Sequence, residues 1–230
     1  MKRPNNLVFI TLGFIATTAS LTFANSANAV AIKPISYDMP NGTTGSYNYW
    51  DKNYTGNGNT TGDFAPLSGG LGDLTDGIIP TGNWSVEEPP RGGNGPYVGW
   101  RNIDPTIKFN FGGSTNIDSV TIYVDDSNGS GGVSVPGSVD LSMGGSVASI
   151  NLTDPPGSAP TSYTFSNLGF SGSSLDLTLN RKHYGSWIFL SEVTFEGSQQ
   201  TTAVPTPALL PGLIGMGITA VRKKKQKELA

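Results

Sequence analysis

An all-β sandwich framed by two apolar ends is the fold class the sequence predicts, and three observations predict it. Apolar residues alternate with polar ones at period two in one window after another of residues 30–199, and no window there keeps a helical period. Glycine, 31 residues of 230, falls between the alternating runs together with Asn, Ser and Thr, as turn residues do. The chain has no cysteine, so an exported body must be held by a hydrophobic core and not by disulfides. About 170 residues are enough for one domain with such a core.

At the start, Lys2 and Arg3 precede a nearly uncharged apolar stretch from Leu7 to Phe23, and Ala27-Asn28-Ala29 puts small residues at Ala27 and Ala29. That order is a secretory signal, so residues 1–29 read as a signal helix with cleavage expected after Ala29. Residues 38–105 hold Tyr47, Tyr49, Trp50, Tyr54, Trp84, Tyr97 and Trp100 among turn residues, and short strands with long ordered loops are expected there. Ile107, Phe109 and Phe111 alternate next, Gly112-Gly113 is expected to turn the chain, and Val120, Ile122 and Val124 alternate again: two neighbouring strands. The polar stretch Asp125 to Gly132 reads as a loop, with Asp125, Asp126 and Asn128 in a solvated acidic turn. Val139, Leu141 and Met143 form a third strand and Val147 to Leu152 a fourth, joined by Gly144-Gly145. Tyr163 and Phe165 start a fifth, Leu175, Leu177 and Leu179 make a sixth, and Trp187 to Phe195 carries one or two more.

The end, residues 200–230, runs from Pro205-Thr206-Pro207 through an apolar segment, Ala208 to Val221, to Arg222, Lys223, Lys224, Lys225 and Lys227. A helix over 208–221 would reach about 21 Å, short of the roughly 30 Å hydrocarbon core. The basic cluster behind it obeys the positive-inside rule, leaving the body outside. The segment is a stop-transfer or a processing signal.

Charge narrows the partners. Setting aside Lys2, Arg3 and the five basic tail residues leaves 7 of 14 basic residues, and setting aside Glu228 leaves 16 of 17 acidic ones, so the body stands near −9. The acidic surface argues against nucleic acid and anionic lipid as partners, because phosphate binding runs on Lys and Arg. Neutral glycans and divalent cations are compatible.

Two resemblances refine this. Pro205-Thr206-Pro207, the short Leu/Gly/Ile/Ala helix and the terminal Arg/Lys cluster resemble the PEP-CTERM sorting signals of bacteria, with Thr206 where the usual signal has Glu. The resemblance implies an exosortase-type membrane protease as partner. It implies a protein tethered to the membrane by its C-terminal helix before processing, then delivered to the cell surface or extracellular matrix.

In the body, Leu74-Thr75-Asp76-Gly77, Trp84, Ile107-Lys108-Phe109-Asn110-Phe111-Gly112, Ile117 to Ile122 and Trp187 to Gly197 follow one another. Over residues 70–198 this order is similar to the galactose-binding-like jelly roll of discoidin domains and carbohydrate-binding modules. That resemblance implies a structural calcium at Asp76 and Glu192. The loop Gly70-Leu71-Gly72-Asp73 could add oxygens, since calcium takes six to eight of them from carboxylates and carbonyls. Without calcium, Asp76 caps a turn and Glu192 is an exposed strand residue.

Binding an extracellular polysaccharide or another glycan needs an aromatic face with hydrogen-bonding groups around it. Tyr97, Arg181, His183 and Tyr184 are the candidate ligand surface, the last three at the tip of a loop between two strands. Trp100 and Trp187 read as core. The alternative is a structural or adhesion protein of the matrix that makes protein contacts, favoured if Trp100 and Trp187 are buried and the loop tips polar. An enzyme is disfavoured: His183 is the single histidine, Cys-His machinery is excluded, and no Gly-x-Ser-x-Gly elbow precedes a helix.

Overall fold

The structure, a computed structural model, describes residues 30–183 and 186–199. The expected signal helix with Ala27 and Ala29, the sorting motif Pro205-Thr206-Pro207, the 208–221 helix and the basic tail Arg222 to Lys225 lie outside the described residues, as does Tyr184. Among the described residues no helix is long and apolar enough to cross a membrane.

Nine strands carry the body: β1 (Val30–Ile32), β2 (Ser36–Pro40), β3 (Pro66–Gly70), β4 (Val98–Arg101), β5 (Thr106–Val124), β6 (Ser138–Met143), β7 (Ser146–Asn151), β8 (Thr161–Asn180) and β9 (Trp187–Gln199). All of their pairings are antiparallel. The chain is an all-β protein, as the alternation predicts. Residues 41–97 hold β3, one helical turn α1 (Trp84–Glu87) and long ordered loops, also as predicted. Asn83 caps α1 by accepting from Ser85 N at 3.2 Å.

Two strands are longer than the sequence suggests. The segments either side of Gly112-Gly113 do not form a hairpin; both belong to β5, and both pair with β8, from Thr106↔Thr178 to Val124↔Thr161. Gly112 takes φ +74°, so the glycine pair bends the strand where a reversal was expected. The expected fifth and sixth strands are likewise one strand, β8, whose ladder with β5 shifts register near Asn167 and Gly169, at φ 59° and 58°. The same shift, between Ile117 and Ser119, gives β5 one extra residue against β9, so the inward positions move from the odd set Ile107, Phe109, Phe111, Ile117 to the even set Val120, Ile122, Val124.

These bends make β5 and β8 common to two layers. The first half of β5 takes β2 on its outer side, giving β3-β2-β5-β8-β6-β7; the second half takes β9, whose far side carries β1 and β4. Phe195 on β9 pairs with Val120, yet its ring lies 4.9 Å from Phe109 and 5.2 Å from Phe111. The layers therefore face each other across one apolar core of Tyr37, Trp100, Phe109, Phe111, Phe195 and the inward aliphatic residues. A second cluster, Tyr49, Tyr97, Val133, Trp187 and Phe189, lies on the other face of β9, where Trp187 and Phe189 alternate with Ile188 and Leu190 of the main core.

Candidate functional site

Two places in this frame carry the polar chemistry. The first is a pocket where the turn Asp73–Thr75 meets β9. It is lined by Lys33, Leu71, Thr75, Asp76, Gly77 and Glu192, among others. The fold thus brings Asp76 and Glu192 together from positions more than a hundred residues apart. Gly77 N donates to Glu192 Oε2 at 3.0 Å, and Ile78 N donates to Asp76 Oδ1 at 2.8 Å. Glu192 is 4% exposed, not the exposed strand residue of the alternative reading. Burial, joined by the charge of Asp76, pushes its carboxyl up to about 7. Burial raises Asp76 as well.

Behind them stands a second pair. Tyr37 OH donates to Asp51 Oδ2, while Asp51 Oδ1 accepts from Asp73 N at 3.1 Å, and Asn53 Nδ2 donates to Asp73 Oδ1 at 2.8 Å. Burial pushes Asp51 up to about 6; burial and then the charge of Asp51 push Asp73 to about 7. Gly72 is required here, because a Cβ on it would sit 2.3 Å from Asp51 Oδ1. No sequence spacing links Asp51 to this turn; only the fold does.

Among the described residues no group of three or more acidic or histidine side chains converges as a metal cluster. A cation at Asp76 and Glu192 would complete its shell with loop carbonyls and water, which suits calcium's tolerance of mixed oxygen ligands. Two like charges held together in a half-enclosed pocket fit a divalent cation, which would relieve both.

The second place is the turn after β8. Arg181 Nε donates to Asp104 Oδ1 at 2.8 Å, Nη2 to Asp104 Oδ2 at 3.5 Å, and the Arg181 backbone N to Asp104 Oδ1 at 2.9 Å. The guanidinium holds Asp104 below the usual carboxylate range. Lys182 Nζ pairs with Asp154 Oδ2. Arg181 Nη1 and Asp154 Oδ1 are left buried without a partner. His183 is exposed, and its carbonyl accepts from Ser186 N at 3.3 Å and Ser186 Oγ at 2.7 Å, which fixes the turn.

Two expectations change and one holds. Tyr97 is not at a surface: it is 1% exposed, its hydroxyl donates to Gly82 O at 2.8 Å, and its ring stacks on Phe189 at 6.0 Å. An apolar ring with one satisfied hydroxyl is worth more inside this aromatic cluster than in solvent. Asp125 and Asp126 are not a solvated turn either, being buried. Asp125 accepts from Trp84 N at 2.7 Å and from Ser127 Oγ at 2.9 Å, tying the α1 loop to the end of β5. Trp100 and Trp187 are both core, as read: Trp100 Nε1 donates to Pro40 O at 2.8 Å, and the Arg101 guanidinium lies 5.9 Å from the Trp187 ring. Sequence reasoning missed Asp104 and Asp154, the two acids that organise Arg181 and Lys182.

Residues 34–155, more than half of the chain, match the family model of the discoidin domain-containing receptor 1/2 DS-like domain. This chain belongs to that family. The match runs from just before β2 to just past β7, so the discoidin-like body includes both the acidic pocket's turn and Asp104. Among solved structures, a fucolectin from striped bass (Morone saxatilis) serum is similar at 16% identity and TM-score 0.38, over 54% of this chain and 40% of that one. A fucose binding module from Streptococcus pneumoniae is similar at 14% identity and TM-score 0.40, over 66% of this chain and 97% of that one. A family 32 carbohydrate-binding module from Clostridium perfringens, in complex with galactose, is similar at 8% identity and TM-score 0.30, over 44% and 75%. The chain thus spans well under half the length of the fucolectin. No curated protein matches the sequence.

Proposed function

We propose that this discoidin-like body is a non-catalytic glycan-binding module of an exported protein, sorted through its PEP-CTERM-type tail to the cell surface or extracellular matrix. The observation that carries the reading is the Arg181 turn. A guanidinium fixed by Asp104 and an ammonium fixed by Asp154 stand at one end of the sandwich, with the Asp104 and Lys182 side chains open to solvent. Such fixed, alternating donors and acceptors suit the hydroxyls of an extracellular polysaccharide. Tyr97 drops out of the ligand surface, which leaves Arg181, His183 and Tyr184 as its candidate residues. Asp76 and Glu192 would hold a structural calcium that ties the Asp73–Thr75 turn to β9.

A second reading, a structural or adhesion protein making protein contacts, is favoured by the burial of Trp100 and Trp187, neither of which offers an exposed ring at the loop end.

A glycan array with the full-length chain, with and without chelator, separates the two. The first reading expects binding to at least one polysaccharide, weakened about tenfold or more by Arg181→Lys, which keeps the charge and loses the fork. Absence of binding to every sugar leaves the second reading standing. For sorting, mass spectrometry of the native product is expected to end before Ala208; an intact Lys225 would refute proteolytic processing.

A further inference from the structure

We infer that β7 is an assembly edge, built to pair with β7 of a second copy of this chain about a two-fold axis through Ser149. Among the described strands β7 pairs only with β6, so its other edge is open. Open edges are commonly blunted by charge, proline, bulges or shortness. The other edges of this body follow that rule or are covered. β1 has three residues and the open part of β8 is interrupted at Asn167, while Gly99 of β4 and Ser68 of β3 are already bonded by the loops outside them. β7, Ser-Val-Ala-Ser-Ile-Asn, has none of these, and no charged residue occurs from Leu141 to Thr153. In a body near −9 this stretch carries no charge of its own, and the one carboxylate bonded to it, Asp140 of β6, stands a strand back from the open edge and accepts from Ser149 Oγ.

The hairpin fixes the register. Gly144 and Gly145, at φ 59° and 88°, form a two-residue type I′ loop between Met143 and Ser146, which closes on a hydrogen-bonded pair. Pairs then alternate along the ladder, so Met143↔Ser146, Leu141↔Ala148 and Val139↔Ile150 exchange bonds with β6. Leu152 N donating to Gly137 O at 3.0 Å continues that alternation. The backbone groups of Val147, Ser149 and Asn151 therefore point to the open edge. A two-fold at Ser149 places Ser149 opposite itself and Val147 opposite Asn151, so that all three outward residues are used on both strands. Centring on Ala148 or Ile150 uses fewer. The same register sets Ala148 opposite Ile150 on the inward face, where both are only half-buried against the core at present. Six residues a side is well below the 20–30 or so of a stable interface, so the contact is weak for free chains and acts where copies stand side by side on one surface.

Because the chain has no cysteine, the register is testable by single substitution. Paired residues in an antiparallel ladder stand about 4.5–5.5 Å apart at Cα, inside the range a disulfide spans. Two copies of residue 147 would lie about 14 Å apart, four residues out of register. Oxidising the full-length Ser149→Cys chain should give covalent dimer at least about tenfold faster than Val147→Cys, although Val147 is 78% exposed and random collision would favour it. In sedimentation equilibrium, Ser149→Pro should abolish concentration-dependent self-association, since it removes the outward N–H, whereas Ser149→Ala, which loses only the Oγ bond to Asp140, should leave it unchanged. Ser149→Glu, at an exposed position, should do the same by setting like charges opposite each other. Cross-linking of Val147→Cys as fast as or faster than Ser149→Cys overturns the proposal, as does self-association unchanged in both the Pro and Glu variants.

Discussion

Gly99→Ala is a severe small change to the aromatic cluster, and its cost follows from one distance. Gly99 pairs with Phe189, so the two residues face the same side, and a Cβ on Gly99 would lie 2.0 Å from Phe189 Cε1 and 3.0 Å from Tyr49 Cβ. Carbon atoms in contact prefer about 3.5–4.0 Å, so the ring would have to retreat by roughly 1.5 Å or more. It has nowhere to go. Phe189 is 1% exposed, with the Tyr49 ring at 4.5 Å, Trp187 at 5.5 Å and Tyr97 at 6.0 Å. Overpacking of this kind costs about 1–3 kcal/mol, and an immobile ring places this case near 3. For a domain of this size that lowers Tm by roughly 6–12 °C. Thermal melts followed by far-UV circular dichroism measure it, and near-UV dichroism reports the loss of order in the cluster. Adding Phe189→Leu to Gly99→Ala should recover part of the loss, a non-additivity expected of residues in contact. A single-variant Tm within about 2 °C of the parent would show that the ring is free to move and that the cluster is not close-packed.

Two further outcomes follow from the polar and apolar interiors. Burial pushes Asp51 and Asp125 to about 6, and Asp73, Glu88 and Glu192 to about 7, all above their unfolded values. Their stabilising share is complete below the unfolded carboxylate range and is lost as pH rises through 6 to 7, so in chelator Tm should be higher at pH 5 than at pH 8; the reverse order refutes the assignment. If calcium sits at Asp76 and Glu192, it should raise Tm at pH 8 and not at pH 5, and Glu192→Gln should remove that increment. Phe195→Ala, which empties the space between Phe109 and Phe111, should cost about 3–5 kcal/mol in urea unfolding at unchanged m; a loss under about 1 kcal/mol would mean the two layers do not meet there.

Where one face of a strand is buried, the sequence already says so. Ile107-Phe109-Phe111, Val139-Leu141-Met143 and Leu175-Leu177-Leu179 alternate because their neighbours face solvent, and the structure buries each of these residues. Strand ends were harder to read, since Gly112-Gly113 is compatible with a turn or a bend, and only long-range pairing with β8 decides between them. Asp76 and Glu192 were found through a resemblance that spans the fold. Asp51, Asp104 and Asp154 are not legible in the sequence, because each meets its partner across at least fourteen residues of loop or strand, and a lone Asp among glycines and serines carries no period. Tyr97 was misplaced for a related reason: a tyrosine near Arg91 and Arg101 looks exposed until Phe189 and Gly82 are seen around it.

The pairing of β1 with the far end of β9, Val30 opposite Gly197, gathers both ends of the described body at one corner. β9 begins beside the Arg181 turn and runs thirteen residues before reaching that corner, a length of about 40 Å. A tether following Gln199 would hold the domain by its base, like a stalk, with Arg181 and His183 carried outward by the height of the domain. Whatever those side chains meet would then be met clear of any surface to which such a tether fastened the chain.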